Sequence, residues 1–129
     1  MDEAIVYVDT SEVRAGAIED LKTAIKELVD FVDANEPRII SYNAYLSEDG
    51  TRINVVHMHP DTASLEHHLE VAGPRFRRFA DLVTMESIII FGRPSERVLR
   101  QLNDKARLLG AGAVTVREPH AGFSRFGVH

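Results

Sequence analysis

The sequence predicts an α+β fold in which an antiparallel sheet carries its helices on one face, with one more helix and a short strand added at the C-terminal end. Three observations point there. Runs of period-two alternation rich in β-branched and aromatic residues occupy Ala4 to Asp9, Ile39 to Leu46, Arg52 to His59 and Leu82 to Phe91. Between the first and second runs, and again after the third, apolar residues recur at three- and four-residue steps, the mark of amphipathic helices. The 129 residues, 44% hydrophobic and 27% charged, make one ordinary globular domain that can hold a core and is too short for two.

The first strand ends at Asp9-Thr10-Ser11, which reads as a turn, and Gly16 opens the long helix. Ile18, Leu21, Ile25, Leu28, Val29 and Val32 form its apolar stripe, and Asn35 and Pro37 end it, because the residue before a proline disfavours helix. A hairpin follows. Its turn is Ser47-Glu48-Asp49-Gly50, whose glycine takes positive φ. With Leu46 opposite Thr51, Ile40, Tyr42, Ala44 and Leu46 share a face with Ile53, Val55 and His57, while Ser41, Asn43 and Tyr45 share the other with Arg52, Asn54 and Val56.

Asp61 is placed to accept from the free amides of the next helix, along which Leu65, Leu69 and Ala72 trace the inner stripe. Gly73-Pro74 interrupts that helix, and Phe76 and Phe79 resume the apolar face. The last long strand has Leu82, Thr84, Glu86, Ile88 and Ile90 on one face and Val83, Met85, Ser87, Ile89 and Phe91 on the other. The order is β-α-β-β-α-β, the ferredoxin-like arrangement, over about residues 4–91. In the extension, 92–129, Ser95 and Glu96 open a third helix with Val98, Leu102, Ala106 and Leu109 on one side. Gly110-Ala111-Gly112 closes it before a strand at Ala113 to Arg117, and the rest is an irregular tail.

Two helices cover one face of a four-stranded sheet, yet both faces carry Val, Ile, Met, Phe and Tyr. An uncovered apolar face of that size calls for a partner, so the expectation is a homodimer through the sheet faces, with the third helix folding back as the competing cover.

Composition narrows function. Fifteen basic against twenty acidic residues give a net charge of −5, so no overall field favours nucleic acid or an anionic membrane. The basic cluster Arg75, Arg77 and Arg78 surrounds inward phenylalanines and reads as a solvated helix face. No apolar run approaches the roughly 20 residues of a membrane span, and the acidic start of the chain lacks a secretory pattern, so a cytoplasmic protein is expected. The absence of cysteine excludes disulfides and thiol catalysis.

His57 and His59 form H-x-H on one strand and, with His68, offer three nitrogens, but no carboxylate motif completes a ligand set, so no metal is expected. Ser41, His57 and Asp61 supply the residue types of a hydrolase without a nucleophile elbow, and Gly110-Ala111-Gly112 follows a helix and so is no phosphate loop.

The long helix running into ANEPRIISYNAYLSEDGTRINVV, followed by HPDTASLEHHLEVAGPRF, resembles the antibiotic biosynthesis monooxygenase family of dimeric α+β barrels. That resemblance implies a single barrel-type domain and oxidation of a small aromatic or quinol-type metabolite by O2 with no cofactor. It implies His68 as acid/base, with Tyr42 and His57 orienting the substrate. Asn43, Leu65, Phe76 and Phe79 are the expected substrate contacts. The haem-degrading branch is disfavoured, because the chain has no tryptophan, carries Tyr7 on its first strand, and has Arg75 to Arg78 where a later histidine belongs. A dimeric barrel that binds a small apolar ligand without turnover, and an isomerase or decarboxylase with a histidine base, are the alternatives.

Overall fold

The computed structural model describes residues 4–110 and 112–125. Its elements are β1 (Ile5–Val13), α1 (Ile18–Asn35), β2 (Ser41–Leu46), β3 (Arg52–His59), α2 (Thr62–Ala72), a 3-10 helix (Gly73–Asp81), β4 (Val83–Phe91), α3 (Glu96–Leu109) and β5 (Ala113–Arg117). The strands form a five-stranded sheet in the order β2-β3-β1-β4-β5. The first four pair antiparallel, and β5 joins β4 in parallel, which α3 makes reachable as the crossover. The predicted ferredoxin-like order with its added helix and strand is therefore observed, as an open sheet. Ala111 and the end of the tail lie outside the described residues.

Three local expectations change. Asp9, Thr10 and Ser11 do not end β1, which continues to Val13 as the central strand with a ladder on either side. The hairpin register is displaced by two, with Leu46 opposite Ile53. The cause is a longer loop: the Ser47 hydroxyl and the Asp49 carboxylate accept the Thr51 N–H, and Gly50 sits at φ 73°. A shift of two is one full pleat, so the faces are those expected. In β4 the inward set is Val83 and Met85, then Ile88 and Ile90, because the register to β1 slips between Thr10 and Ser11 and leaves Glu86 as an extra, bulged residue.

The caps form as read. Asp61 accepts the Ser64 N–H and Ser95 accepts the Val98 N–H, each satisfying a helix-start amide. Gly110 ends α3 at φ 153°, where a Cβ would lie 2.6 Å from the Met85 backbone nitrogen, so only glycine lets the chain pass so close to β4.

Leu21, Ala24, Leu28 and Val32 of α1, Leu65 and Leu69 of α2, and Val98, Leu102, Ala106 and Leu109 of α3 all bury into one core. Helix α3 packs on β4, β5, α2 and the 3-10 helix, which places it on the same side of the sheet as the other helices. It does not cover the opposite face. There Val6, Val8, Val56, Met58 and Ile89 are half-buried, and Tyr45 and Phe91 are 55% and 42% exposed.

Candidate acid-base site under the helices

The inward positions of β1 are taken, two residues apart, by Tyr7, Asp9 and Ser11, and those of β3 end in His57 and His59. Register puts Tyr7 directly opposite His57 and His57 directly opposite Tyr42. Three rings consequently lie side by side across the sheet, with centroids 4.1 Å apart for Tyr7 and His57 and 4.7 Å for His57 and Tyr42. Helix α2 lowers His68 onto this row, 4.8 Å from His57 and 5.3 Å from Tyr42 between centroids.

His68 is anchored from the end of α1. Its Nδ1 lies 3.0 and 3.1 Å from the two carboxylate oxygens of Glu36, which is 3% exposed. The carboxylate accepts the Nδ1 proton, so the Nε2 atom of neutral His68 carries a lone pair, and it has no hydrogen-bond partner among the described residues. Burial pushes His68 below its ordinary value, with Glu36 opposing the shift. The imidazole is therefore in its basic form at neutral pH.

A second chain of contacts runs the other way. His57 Nδ1 lies 2.7 Å from His59 Nε2, and His59 Nδ1 lies 2.8 Å from the Ser64 hydroxyl. Burial pushes His57 well down and His59 to about 3, so both are neutral. Two neutral rings joined in this way share one tautomeric choice: the proton sits on His57 Nδ1 and His59 Nδ1, or on both Nε2 atoms. The two rings bond each other, and among the described residues no three His, Cys, Asp or Glu side chains are placed to hold a metal ion.

The third group is Lys105 of α3, only 8% exposed. Its Nζ donates to the Tyr7 hydroxyl at 2.7 Å, Tyr7 donates to Asp9 Oδ2 at 2.6 Å, and Nζ stands 3.8 Å from the same oxygen. Asp9 Oδ1 also accepts the Val55 N–H. Burial raises Asp9 and lowers Lys105, each opposed by the other's charge, and burial together with Asp9 raises Tyr7. Tyr42 is raised as well, by burial and then by Asp9 and Glu36, and stays a neutral phenol.

Of these groups Asp9, Tyr42 and Lys105 line a cavity of about 40 Å³, together with Phe76, Phe79 and Met85. That holds water but no aromatic ring, since benzene occupies a cavity of about 150 Å³. A ring-sized ligand requires the walls to move.

Of the expected site residues, the structure brings together His68, Tyr42, His57, Phe76 and Phe79, although His57 and His68 do not line the cavity. Leu65 is wholly buried in the core, away from the cavity. Asn43 is elsewhere: it is exposed on the outer sheet face, paired with Val56. Tyr7, Asp9, Glu36, Ser64 and Lys105 were not anticipated as site residues. A signal existed for two of them, since Glu36 follows Val32 by four and Lys105 follows Leu102 by three and Val98 by seven, charged residues on apolar stripes.

No protein-family model and no curated protein matches the sequence. Solved structures do. MupZ from Pseudomonas fluorescens superposes with a TM-score of 0.74 at 16% identity over 98% of both chains, a span that takes in α3 and β5. SnoaB, a cofactor-independent oxygenase from Streptomyces nogalater, gives 0.61 at 17% identity over 72% of this chain and 95% of its own. A Bacteroides thetaiotaomicron protein proposed as an antibiotic biosynthesis monooxygenase gives 0.57 at 16% identity over 73% and 90%. At these identities the likeness is one of fold, and the fold of this chain is that of the antibiotic biosynthesis monooxygenase-like α+β proteins.

Proposed function

We propose that this chain is a cofactor-independent, monooxygenase-like enzyme that deprotonates a small aromatic or quinol-type compound in the buried site and lets its anion react with O2. One observation carries the reading: His68, wholly buried, is held by a buried carboxylate through Nδ1 and leaves Nε2 bare beside Tyr42, a wall of the cavity. Burying histidines, a carboxylate and an ammonium under helices costs several kcal/mol that an apolar core would not incur, which favours a chemical role over a packing one. The likeness in fold to SnoaB supports oxidation as the reaction.

In this reading the walls move to admit the substrate beside His68, its hydroxyl proton passes to His68 Nε2 while Tyr42 orients the ring, and Glu36 stabilises the imidazolium that forms. The phenolate is far more easily oxidised than the phenol, and the apolar walls keep water from competing. Oxygen uptake with a panel of hydroquinones is the test. His68→Gln is expected to lower kcat/KM by about 100-fold and Tyr42→Phe by about tenfold, with the rate falling at pH values below the usual 6.5 of histidine. Uptake that both substitutions leave unchanged removes His68 and Tyr42 from the mechanism, and tight binding without uptake makes the chain a binding protein.

A second copy of the chain is the proposed cover for the outer sheet face, seated on Val8, Val56, Ile89, Tyr45 and Phe91. Sedimentation velocity at micromolar concentration is expected to show a dimer that Val8→Glu/Ile89→Glu dissociates. A monomeric wild-type protein refutes it.

A further inference from the structure

Lys105 and Phe76 belong to the walls of two spaces at once. One is the inner cavity, and the other is an outer cleft of about 240 Å³ between α2, the 3-10 helix and α3, bounded also by Gly73, Gln101 and Asp104. These two side chains are thus the partition between them. Lys105 makes one hydrogen bond, to Tyr7; its other near neighbours are Asp9 at 3.8 Å and the faces of the Phe76 and Tyr7 rings at 4.2 and 4.7 Å. A buried ammonium with three protons and one normal acceptor is short of oxygen. On the cleft side, Gln101 Oε1 is buried and has no partner among the described residues.

We propose that the cleft is the entrance to the site and that Lys105 binds the anionic oxygen of the ligand, a phenolate or enolate, while Gln101 accepts a hydroxyl proton of the same molecule. This deepens the reading of the site given above and rests on it. With Phe76 turned aside, cleft and cavity join into a volume that exceeds the roughly 150 Å³ a benzene-sized ring needs. The 3-10 helix that carries Phe76 is the element best suited to such a movement, because its hydrogen-bond geometry is poorer than that of an α-helix. The charge balance also fits. The proton leaves the ligand O–H for a base of the site, and the oxygen left behind meets the one buried ammonium among the described residues.

Para-nitrophenol is a suitable probe, because its anion has its own visible absorption band. Titrated into the whole protein, it is expected to bind with its apparent pKa lowered. Lys105→Met is expected to weaken binding by about tenfold and abolish the shift. Should Lys105→Met fail to fold, Asp9→Asn/Lys105→Met carries the same test. Gly73 has open space where a Cβ would stand, so Gly73→Leu plugs the cleft, at a modest backbone cost because its helical φ and ψ precede Pro74. It is expected to slow association by about tenfold by stopped flow, with only a modest fall in thermal stability. No binding by the wild type, or an unchanged shift in the lysine variants, overturns the anion site, and wild-type association by Gly73→Leu overturns the entrance. None of these readings uses oxygen uptake, so a protein that binds and ionises the probe without consuming O2 would lose the oxygenase reading alone.

Discussion

Lys105→Met is expected to destabilise the fold by about 3 to 5 kcal/mol, and adding Asp9→Asn is expected to return most of that loss. Asp9 and Lys105 are 4% and 8% exposed, so neither can turn to water when its partner is removed. The single substitution leaves a carboxylate under the helices with only the Tyr7 hydroxyl and the Val55 N–H to hold it. Asparagine removes the charge and keeps an acceptor for Val55. Urea unfolding of the two single variants and the double variant gives the coupling directly, provided the slopes agree. Losses that simply add would mean that the pair is not coupled.

Acid is expected to unfold the protein early. The sign follows from His57, His59 and His68, all held below 6.5 by burial. The unfolded chain binds protons there while the fold does not, so stability is complete above about pH 6.5 and falls as the pH drops. Each histidine adds a slope of about 1.4 kcal/mol per pH unit, at most about 4 for three. Glu36 opposes the shift of His68, and Asp9, raised by burial, takes up a proton in the fold and works in the opposite direction, so a net slope nearer 1.4 to 3 is expected. Asp49, lowered to about 2, acts only in stronger acid, which leaves the interval from about pH 6.5 to 4.5 to the histidines, with Asp9 opposing them. Urea midpoints measured across that interval check it. His59→Gln should flatten the profile, and a wild-type stability that does not change with pH there would contradict the neutral, buried assignment.

How much of this could be read beforehand depended on whether local chemistry and tertiary position agreed. They agreed at Asp61 and Ser95, where a cap does the same thing in any context, and in the hairpin, whose alternation fixed both faces even though its loop was longer than read. They disagreed at Asp9-Thr10-Ser11, turn formers by composition that a central strand holds straight because both neighbours supply ladder bonds. The bulge at Glu86 has no mark in the alternation. For α3 the amphipathic pattern said that one side is buried and could not say against which face of the sheet. That choice decides the site, since it is what carries Lys105 to Tyr7. His68 was legible as a histidine on an inner stripe, whereas the only mark of the carboxylate that orients it was that Glu36 continues the stripe of Val32, which says that it is inward and not what it meets.

The hydrogen bond from Lys105 to Tyr7 joins positions 98 apart, between the first strand and the last helix. During synthesis β1 is made first, yet its inward Tyr7 and Asp9 have no cation until α3 has left the ribosome, and its second ladder waits for β4. An emerging N-terminal half therefore lacks part of the native contacts of β1. Completion is expected to be late, at the slow rate that distant contacts impose. A chain cut after β4 would keep the order of elements, leave Asp9 without a counter-charge and remove Val98, Leu102, Ala106 and Leu109 from the core, so it is expected to be much less stable than the whole chain.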